Sequence, residues 1–409
     1  MRMNRRHLLS LLAGISVAGR GGVARPASGR IAVIGGGIIG ASIAYHLAAR
    51  GARVTVFEKA APASAASGHS FAWINAHYRK LPDHYHRLSR LGVMSWHRLE
   101  TELAGQIDIR WNGALEWYAP DDPADQLREQ VRRVQNWGYP AHLVSRDEFA
   151  ELEPRVHPGP LGTAALSEPD GTVDAPHATR VLLQQAESAG AEVLYPCEVS
   201  GLDIQNQAVR GLETTRGYFD ADRVVIAAGV GTPALAGLAG LEVPLVPDPG
   251  LLAFTRPQAP LLSRVVISPG GHMKQNPDGR VVAGELAGPP DSPTHEILAT
   301  RPGRFPDRTL EREHGQRILA SVSQYLPALQ NAQIDAVTIG FRPVPLDGYP
   351  VVGFSDSVSG VYTVVTHSGV TLAALLGQLV ALEVLEGAEV ELLASYRPAR
   401  FAGGAATRR

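Results

Sequence analysis

Apolar residues along the chain follow two periods, and the alternation between them marks the predicted elements. Short β-branched or apolar runs predict strands, at residues 31–34, 54–57, 192–195, 222–229, 334–341 and 360–365. Apolar positions three or four residues apart predict helices, at residues 85–103, 176–189, 310–326 and 369–385. Strands that alternate with helices are typical of an α/β protein with a parallel sheet.

A glycine-rich turn joins the first predicted strand to a short helical pattern. Gly35, Gly37 and Gly40 follow the strand, and Glu58 ends the next strand. In a dinucleotide-binding unit the first glycine permits a tight turn, the second lets a pyrophosphate approach, and the third lets the helix pack closely. The N–H groups at the helix start suit phosphates, and the carboxylate of Glu58 suits a ribose hydroxyl. The alternative is a tight strand–helix turn in some other α/β domain.

Composition excludes several classes of protein. The 409 residues, 44% of them hydrophobic, suffice for a large core and two lobes, and the formal net charge of -2 gives no indication of nucleic-acid binding. The single cysteine, Cys197, excludes an intramolecular disulfide framework. His84, His86 and His97 have no carboxylate or cysteine at ligand spacing, so no metal site is predicted.

The first 29 residues have the pattern of an export signal. A positive segment containing Arg5 and Arg6 precedes an apolar run at residues 8–17 that is too short to span a bilayer. The arginine pair resembles a twin-arginine signal and predicts a periplasmic protein, cleaved near Ala27. The alternative is an N-terminal extension with a chance arginine pair, and then a cytoplasmic location. No stable membrane span is predicted elsewhere.

A second glycine-containing helix start lies near the end of the chain. Residues 366–371 lead from a strand into the last apolar helix, and small residues also fill 60–70 and 227–229. Backbone at such positions can lie close against a flat ligand. Two helix starts far apart in sequence suit a large two-ended cofactor better than a nicotinamide bound to one unit.

Taken together, these pieces resemble the D-amino acid oxidase family of flavoproteins, the glycine oxidase and sarcosine oxidase branch in particular. The resemblance covers roughly residues 30–385. It depends on VIGGGIIG at 33–40, Glu58-Lys59, Ser67-Gly68, Val199, IAAG at 226–229, GFRPVPLDGYPVVG at 340–353 and HSGVTLA at 367–373. The last two motifs are more specific than the glycine motif.

The resemblance implies FAD bound in an extended form. The three glycines would lie on the pyrophosphate, Glu58 on the adenosine ribose, and Val199 at the adenine end. Ser67, His69 and residues 367–372 would surround the ribityl chain and isoalloxazine. The full set implied for the cofactor is Gly35, Gly37, Ile38, Gly40, Glu58, Lys59, Ala66, Ser67, Gly68, His69, Val199, Ala228, Gly229, His367, Ser368, Gly369, Val370, Thr371 and Leu372.

The resemblance also implies a substrate site. Arg342 occupies the position of the arginine that binds a substrate carboxylate, and a guanidinium can donate two parallel hydrogen bonds to such a group. The alternative for Arg342 is a structural ion pair at a strand end. Glycine oxidase has a tyrosine where this chain has His272, which could line the pocket or adjust the amine's protonation if its pKa is near neutral. No cysteine lies near the C-terminal flavin segment, so FAD is expected to be non-covalent.

The hypothesis is oxidation of a C–N bond in a small amine or amino acid. A hydride equivalent would pass to flavin N5, the imine would hydrolyse, and the electrons would pass to O2. One alternative is a dehydrogenase that passes electrons to a quinone or carrier protein. Others are a nicotinamide-dependent dehydrogenase and a non-catalytic FAD-binding protein.

The predicted architecture is a Rossmann-like FAD domain with an inserted, mainly antiparallel substrate domain. The FAD domain is assigned to residues 30–90, 147–245 and 336–395, and the substrate domain to residues 91–146 and 246–335. Residues 396–409 are a tail. The active site is expected at the interface of the two domains.

Overall fold

A computed structural model describes residues 29–246, 248–286 and 308–402. The predicted export signal, with Arg5 and Arg6, lies outside the described residues, as do residues 403–409 of the predicted tail. Helices are numbered α1 to α8 and strands β1 to β22 along the chain. The described residues form eight α-helices: α1 (Ile38–Ala48), α2 (Asp83–Glu102), α3 (Asp122–Asn136), α4 (Arg146–Leu152), α5 (Ala175–Ser188), α6 (Thr232–Gly237), α7 (Arg308–Ser323) and α8 (Gly369–Glu386).

A mostly parallel six-stranded sheet carries the glycine-rich turn. Its strands, in spatial order, are β21 (Val351–Phe354), β22 (Val361–Val365), β13 (Arg223–Ile226), β1 (Arg30–Ile34), β2 (Arg53–Phe57) and β9 (Glu192–Leu194). All neighbours are parallel except β21 and β22. Buried Val and Ile dominate these strands because both faces of a parallel sheet are covered.

An eight-stranded, mainly antiparallel sheet forms the second layer. Its order is β19 (Ile334–Phe341), β15 (Pro249–Thr255), β18 (Val281–Gly284), β17 (Gly271–Gln275), β16 (Val265–Ser268), β5 (Ala114–Tyr118), β7 (Thr163–Ser167) and β6 (Ala141–Leu143). Only β16 and β5 pair in parallel within it. The two sheets confirm the predicted fold class, a Rossmann-like α/β unit with a largely antiparallel second part.

Three smaller sheets complete the pairing among the described residues. One contains β10 (Val199–Gln205), β11 (Ala208–Thr214) and β12 (Gly217–Asp220). Another contains β3 (Trp73–Ile74), β8 (Gly171–Val173) and β4 (Ile109–Arg110), and the third pairs β14 (Leu245–Val246) with β20 (Val344–Pro345). The strand that begins at Val199 therefore belongs to a different sheet from the six-stranded one that carries the glycine-rich turn.

Helix α8 packs in the interior against α1 and α2. Ser42 of α1 donates a hydrogen bond to the carbonyl of Ala373 at 2.8 Å, and the indole N–H of Trp96 in α2 donates to the carbonyl of Val370 at 2.8 Å. Among the described residues, α8 alone is long and apolar enough to cross a membrane, and 67% of that stretch is buried in the protein. Its composition therefore suits an interior helix.

Some local predictions hold and others do not. Asp174 precedes the predicted helix at 176–189 and is expected to cap it, and it does so by accepting the N–H of His177 at 2.8 Å. Residues 272–284 predict a hairpin around Asp278-Gly279, and β17 pairs with β18 there. The pattern at residues 107–118 predicts a strand pair, but β4 pairs with β8 while β5 pairs with β7 and β16. Pairing there depends on partners distant in sequence, which periodicity does not encode.

The predicted domain boundaries stay a prediction, but two strands fall outside their assigned segment. β7 and β19 lie within stretches assigned to the FAD domain, and both pair in the eight-stranded sheet. The chain therefore returns to the six-stranded sheet only after β7, and a second time only after β19.

Candidate active site

A cleft with a volume of about 2110 Å³ extends between the two large sheets. The ends of β1, β2, β13 and β22 form one wall, and residues of β17 and β19 contribute to the other. Ligands of open α/β sheets bind outside the carboxyl ends of the strands, where this wall lies. Glu58 and Arg342 both line this one cleft.

The glycine-rich turn allows little room for side chains at two of its three glycines. Gly35 has φ +115°, and a Cβ there would lie 2.4 Å from the carbonyl oxygen of Ala227. A Cβ on Gly40 would lie 2.0 Å from the carbonyl oxygen of Gly35. A Cβ on Gly37 would meet only Ser67 Oγ, at 3.2 Å. Gly35 and Gly40 thus serve the fold, and Gly37 leaves open space on the cleft side.

The start of α1 offers an anion site. Gly37 is its N-cap and provides no side-chain cap, while the N–H of Ile38 donates to Ser67 Oγ at 3.0 Å. Glu58 accepts the N–H of Gly36 at 2.8 Å and that of Ala60 at 2.8 Å. Its carboxylate therefore stabilises the turn and retains lone pairs toward the cleft. This arrangement suits a diphosphate and an adjoining ribose.

Most of the residues predicted for the cofactor line this cleft. They are Gly35, Gly37, Ile38, Glu58, Lys59, Ala66, Ser67, His69, Val199, Ala228, Gly229, His367, Ser368, Gly369, Val370 and Thr371. The exceptions are Gly40, Gly68 and Leu372. A Cβ on Gly68 would lie 2.2 Å from the carbonyl oxygen of Ala63, and Leu372 is fully buried. These three support the wall from behind.

The start of α8 forms the second predicted helix terminus in the cleft. Its N-cap, Ser368, makes no side-chain cap bond; instead its hydroxyl accepts Lys80 Nζ at 2.5 Å and lies 2.7 Å from Tyr85 Oη. His367 faces the cleft, where burial, followed by the charges of Lys80 and Arg342, lowers its pKa to about 3. Backbone N–H groups and a buried lysine thus make this end of the cleft positive.

The residues present fit FAD. His69 Nδ1 and Asn75 Oδ1, both on residues that line the cleft, have no hydrogen-bond partner among the described residues. Buried polar atoms without a partner are unfavourable unless a ligand or water satisfies them. The cleft also contains two uncapped helix termini, one for a diphosphate and one for a polar ring edge.

Arg342 also lines the cleft and has a carboxylate partner. Its guanidinium donates to the side chain of Asp248, and its backbone N–H donates to the Asp248 carbonyl at 3.0 Å. The structural ion pair that sequence left as an alternative is therefore present. Among the described residues Nη1 has no hydrogen-bond partner, so one edge of the guanidinium stays available to a ligand.

His272 lies on β17 beside the aromatic ring of Phe71. The two ring centroids are 4.5 Å apart, edge to face. Burial is the largest cause that lowers the pKa of His272 to about 4, and the charges of Arg342, Arg79 and Lys274 lower it further. Of the two predicted roles, adjusting an amine's protonation requires a pKa near neutral, so this environment favours the other role, lining the pocket. His272 is a neutral wall of the pocket.

Sequence reasoning missed several residues of this site. Lys80 and Tyr85 contact Ser368, Asp248 contacts Arg342, and Arg79 lines the cleft. Lys80 lies 288 positions from Ser368 and Asp248 lies 94 from Arg342, so no local spacing links them. For Arg79 and Lys80, their position soon after the small-residue segment at 60–70 was the available signal.

Comparison with known proteins agrees with this geometry. A family model described as FAD dependent oxidoreductase matches residues 30–382. Glycine oxidase of Geobacillus kaustophilus (strain HTA426) is 29% identical over 360 residues, which are 86% of this chain and 91% of the relative.

Solved structures show the same likeness. The crystal structure of glycine oxidase from Geobacillus kaustophilus has a TM-score of 0.81 at 26% identity, covering 92% of this chain and 100% of that one. Iminodiacetate oxidase from Chelativorans sp. BNC1 has a TM-score of 0.74 at 25% identity, covering 90% and 99%. With a family match across most of its length and a cleft that fits FAD, the chain belongs to the D-amino acid oxidase family of FAD-dependent oxidoreductases.

Proposed function

We propose that this protein uses non-covalently bound FAD to oxidise the C–N bond of a small amine or amino acid and passes the electrons to O2. One observation carries the proposal: Arg342 faces the same cleft as the uncapped start of α8. A carboxylate-binding group and a flavin-binding helix terminus in one cleft suit an amino-acid oxidase. The similar proteins named above are oxidases of glycine and of iminodiacetate.

The chain's own residues would hold the cofactor at both ends. Ile38 and the start of α1 would bind the diphosphate, Glu58 the ribose, and residues 367–371 the flavin ring. Bound FAD supplies the two-electron acceptor. The protein's part is to align the reacting carbon with that ring and exclude water, which an enclosed cleft favours.

Substrate orientation would come from Arg342 and its neighbours. The free edge of its guanidinium would bind a carboxylate, and Asp248 would keep the side chain in place. His272 and Phe71 form an uncharged wall beside it. A neutral imidazole places no additional cation beside the substrate's ammonium group, so His272 does not repel that group when it binds. Hydrolysis of the resulting imine needs only water and no further catalytic group.

Non-covalent binding is supported by the position of the single cysteine. Cys197 lines the cleft next to Val199, at the end where the adenine is expected. Its backbone N–H donates to the carbonyl of Glu58 at 2.7 Å, so the thiol lies beside the residue expected to bind the ribose. Acid precipitation tests this point, because FAD should then appear in the supernatant and no flavin should remain with the protein.

Export through a twin-arginine signal is part of the proposal. Arg5, Arg6 and the apolar run at residues 8–17 support it. Such signals serve proteins that fold before export, which suits one with a tightly bound cofactor. Periplasmic fractionation of cells making the full chain or its Arg5→Lys, Arg6→Lys variant tests it. Equal amounts of both proteins in the periplasm would contradict this route.

The test of the reaction is anaerobic. The FAD-loaded protein is mixed with amino acids and N-methyl amines, and bleaching of the flavin absorption identifies substrates. Air is then admitted, and rapid return of the absorption with formation of hydrogen peroxide supports an oxidase. Return only with a quinone would replace O2 by a respiratory acceptor.

The role of Arg342 has its own variant. Arg342→Lys keeps the positive charge but loses the planar fork, so we expect KM for an amino acid to rise at least about tenfold. Arg132→Ala, on the exposed face of α3, is the control. An unchanged KM in Arg342→Lys would contradict the proposal that Arg342 binds the substrate carboxylate.

A further inference from the structure

Arg79 places a second guanidinium in the same cleft. It lines the cleft, its side chain is exposed, and its guanidinium carbon lies 5.1 Å from the centroid of the Tyr78 ring. Its backbone has φ +52°, in the left-handed region that costs energy for a residue with a Cβ. The guanidinium therefore lies over the face of the Tyr78 ring and remains accessible from the cleft.

The carboxylates that line this end of the cleft are engaged with other arginines. Asp248 pairs with Arg342, and Glu285 pairs with Arg317. Asp347 receives two hydrogen bonds from Arg400, at 2.7 and 3.1 Å. In the part of the chain that the structure describes, no carboxylate lies within ion-pair distance of Arg79.

One further carboxyl group is close enough to respond to the charge of Arg79. It is Glu116, which accepts the hydroxyl of Tyr118 at 3.0 Å and lies 3.6 Å from His77. Burial raises the pKa of Glu116 to about 7, although the Tyr118 hydrogen bond and then the charge of Arg79 act to lower it. A pKa of about 7 leaves roughly half of the Glu116 carboxyl groups protonated at neutral pH, so Glu116 offsets the charge of Arg79 only in part.

Arg79 and Arg342 act on the same region of the cleft. Both charges lower the pKa of His272, and both lower that of His367. The two imidazoles are therefore neutral in the physiological range, and both guanidinium groups act on each of them, with Lys274 acting in addition on His272. Lys80 adds a further cation at the start of α8, bound to Ser368.

We propose that Arg79 binds a second carboxylate of the substrate, so that the preferred substrates are amino acids or secondary amines with an acidic group at each end. Arg342 would take one carboxylate and Arg79 the other, with the C–N bond between them. The substrate class depends on the function proposed above. Binding of a dicarboxylate to the cleft does not depend on turnover, so the two claims can be tested separately.

The experiment measures binding by the change in flavin absorption. The FAD-loaded protein is titrated with malonate, succinate and glutarate, and with acetate, propionate and butyrate as monocarboxylates. We expect the best dicarboxylate to bind at least about tenfold more tightly than the best monocarboxylate, which is the gain from one charge-assisted pair. Equal affinity of both series would overturn the proposal.

Variants locate the effect at Arg79. Arg79→Ala should remove the preference for dicarboxylates while keeping acetate affinity within about twofold, and Arg79→Lys should restore part of it. Lys80→Met tests for a general positive field: equal loss of the preference there would contradict a contact with Arg79. A dicarboxylate preference in a protein that oxidises no amine would refute the proposed reaction and leave this inference standing. Oxidation of amino acids by a protein that shows no preference for dicarboxylates would support the proposed reaction and refute the role of Arg79.

Discussion

Arg397 forms a bidentate ion pair with Glu383, which is fully buried in the otherwise apolar helix α8. Nη2 of Arg397 lies 2.6 Å from Oε1 of Glu383, and Nη1 lies 2.7 Å from Oε2. The hydroxyl of Tyr362 and the N–H of Val390 donate to the same carboxylate at 2.5 Å each. The pair joins the C-terminal segment to the six-stranded sheet and to the helix that begins at the proposed flavin site.

Arg397→Ala should destabilise the protein strongly. It leaves a buried carboxylate without its cation, which costs about 3–5 kcal/mol of unfolding free energy. Urea unfolding measures it, with Arg133→Ala as the control. Arg133 pairs with Glu129 on the exposed face of α3, and such surface pairs contribute about 0.3–0.5 kcal/mol. Similar losses in the two variants would mean that the Glu383 carboxylate is not buried as described.

Gly37 and Gly40 should fail in different ways when replaced by alanine. A Cβ on Gly40 would lie 2.0 Å from the carbonyl oxygen of Gly35, so Gly40→Ala should cost about 1–3 kcal/mol by overpacking. A Cβ on Gly37 would meet only Ser67 Oγ, at 3.2 Å. Gly37→Ala should fold normally but bind FAD at least about tenfold more weakly, because the methyl group occupies space that a diphosphate needs.

Thermal unfolding of the apoprotein and fluorescence titration with FAD separate these outcomes. Gly237→Ala is the control, since a Cβ there meets nothing within 4 Å. Normal FAD affinity in Gly37→Ala would contradict the placement of the diphosphate at the start of α1.

The sequence predicted best where function depends on backbone. Gly35, Gly37 and the start of α8 lie in one cleft as expected, because glycine positions and helix starts are local features with a direct structural meaning. The residues that set charge in the substrate pocket were harder to predict. Asp248, which directly precedes β15, lies 94 positions from Arg342, so sequence spacing gave no indication that the two residues pair.

His272 shows a second limit of sequence reasoning. A histidine near a substrate site suggests proton transfer, but its pKa depends on burial and on the charges around it. Burial, and then the charges of Arg342, Arg79 and Lys274, lower that pKa to about 4. Because the three cations come from separate parts of the chain, the lowered pKa of His272 could not be predicted without the three-dimensional structure.

His46 should make stability depend on acid. It is buried in α1, and burial, followed by the charges of Arg50 and Arg98, lowers its pKa from 6.5 to about 3. Between these two pKa values His46 binds a proton in the unfolded chain but not in the folded chain. The free energy of unfolding therefore decreases as the pH falls below the unfolded pKa. At about pH 5 this loss is about 2 kcal/mol relative to about pH 8.

Replacing His46 by glutamine removes the group that titrates. Unfolding free energies of the wild type and of His46→Gln, measured across that pH range, should converge as the medium becomes acidic. His97→Gln, on the exposed face of α2, is the control and should run parallel to the wild type. Parallel curves for His46→Gln as well would show that His46 is not the source of the acid sensitivity.

The Asp248 carboxylate should weaken the attraction of Arg342 for a substrate carboxylate. Its carboxylate pairs with the guanidinium that we propose binds the substrate, so Asp248→Asn removes a competing anion and keeps the shape of the side chain. Affinity for acetate, measured by flavin absorption, should rise about threefold to tenfold, because a partly exposed charge pair contributes about 1 kcal/mol. Asp347→Asn is the matched control, since Asp347 also lines the cleft but pairs with Arg400. Weaker acetate binding in Asp248→Asn would show that the carboxylate positions Arg342, and that orientation outweighs charge at this site.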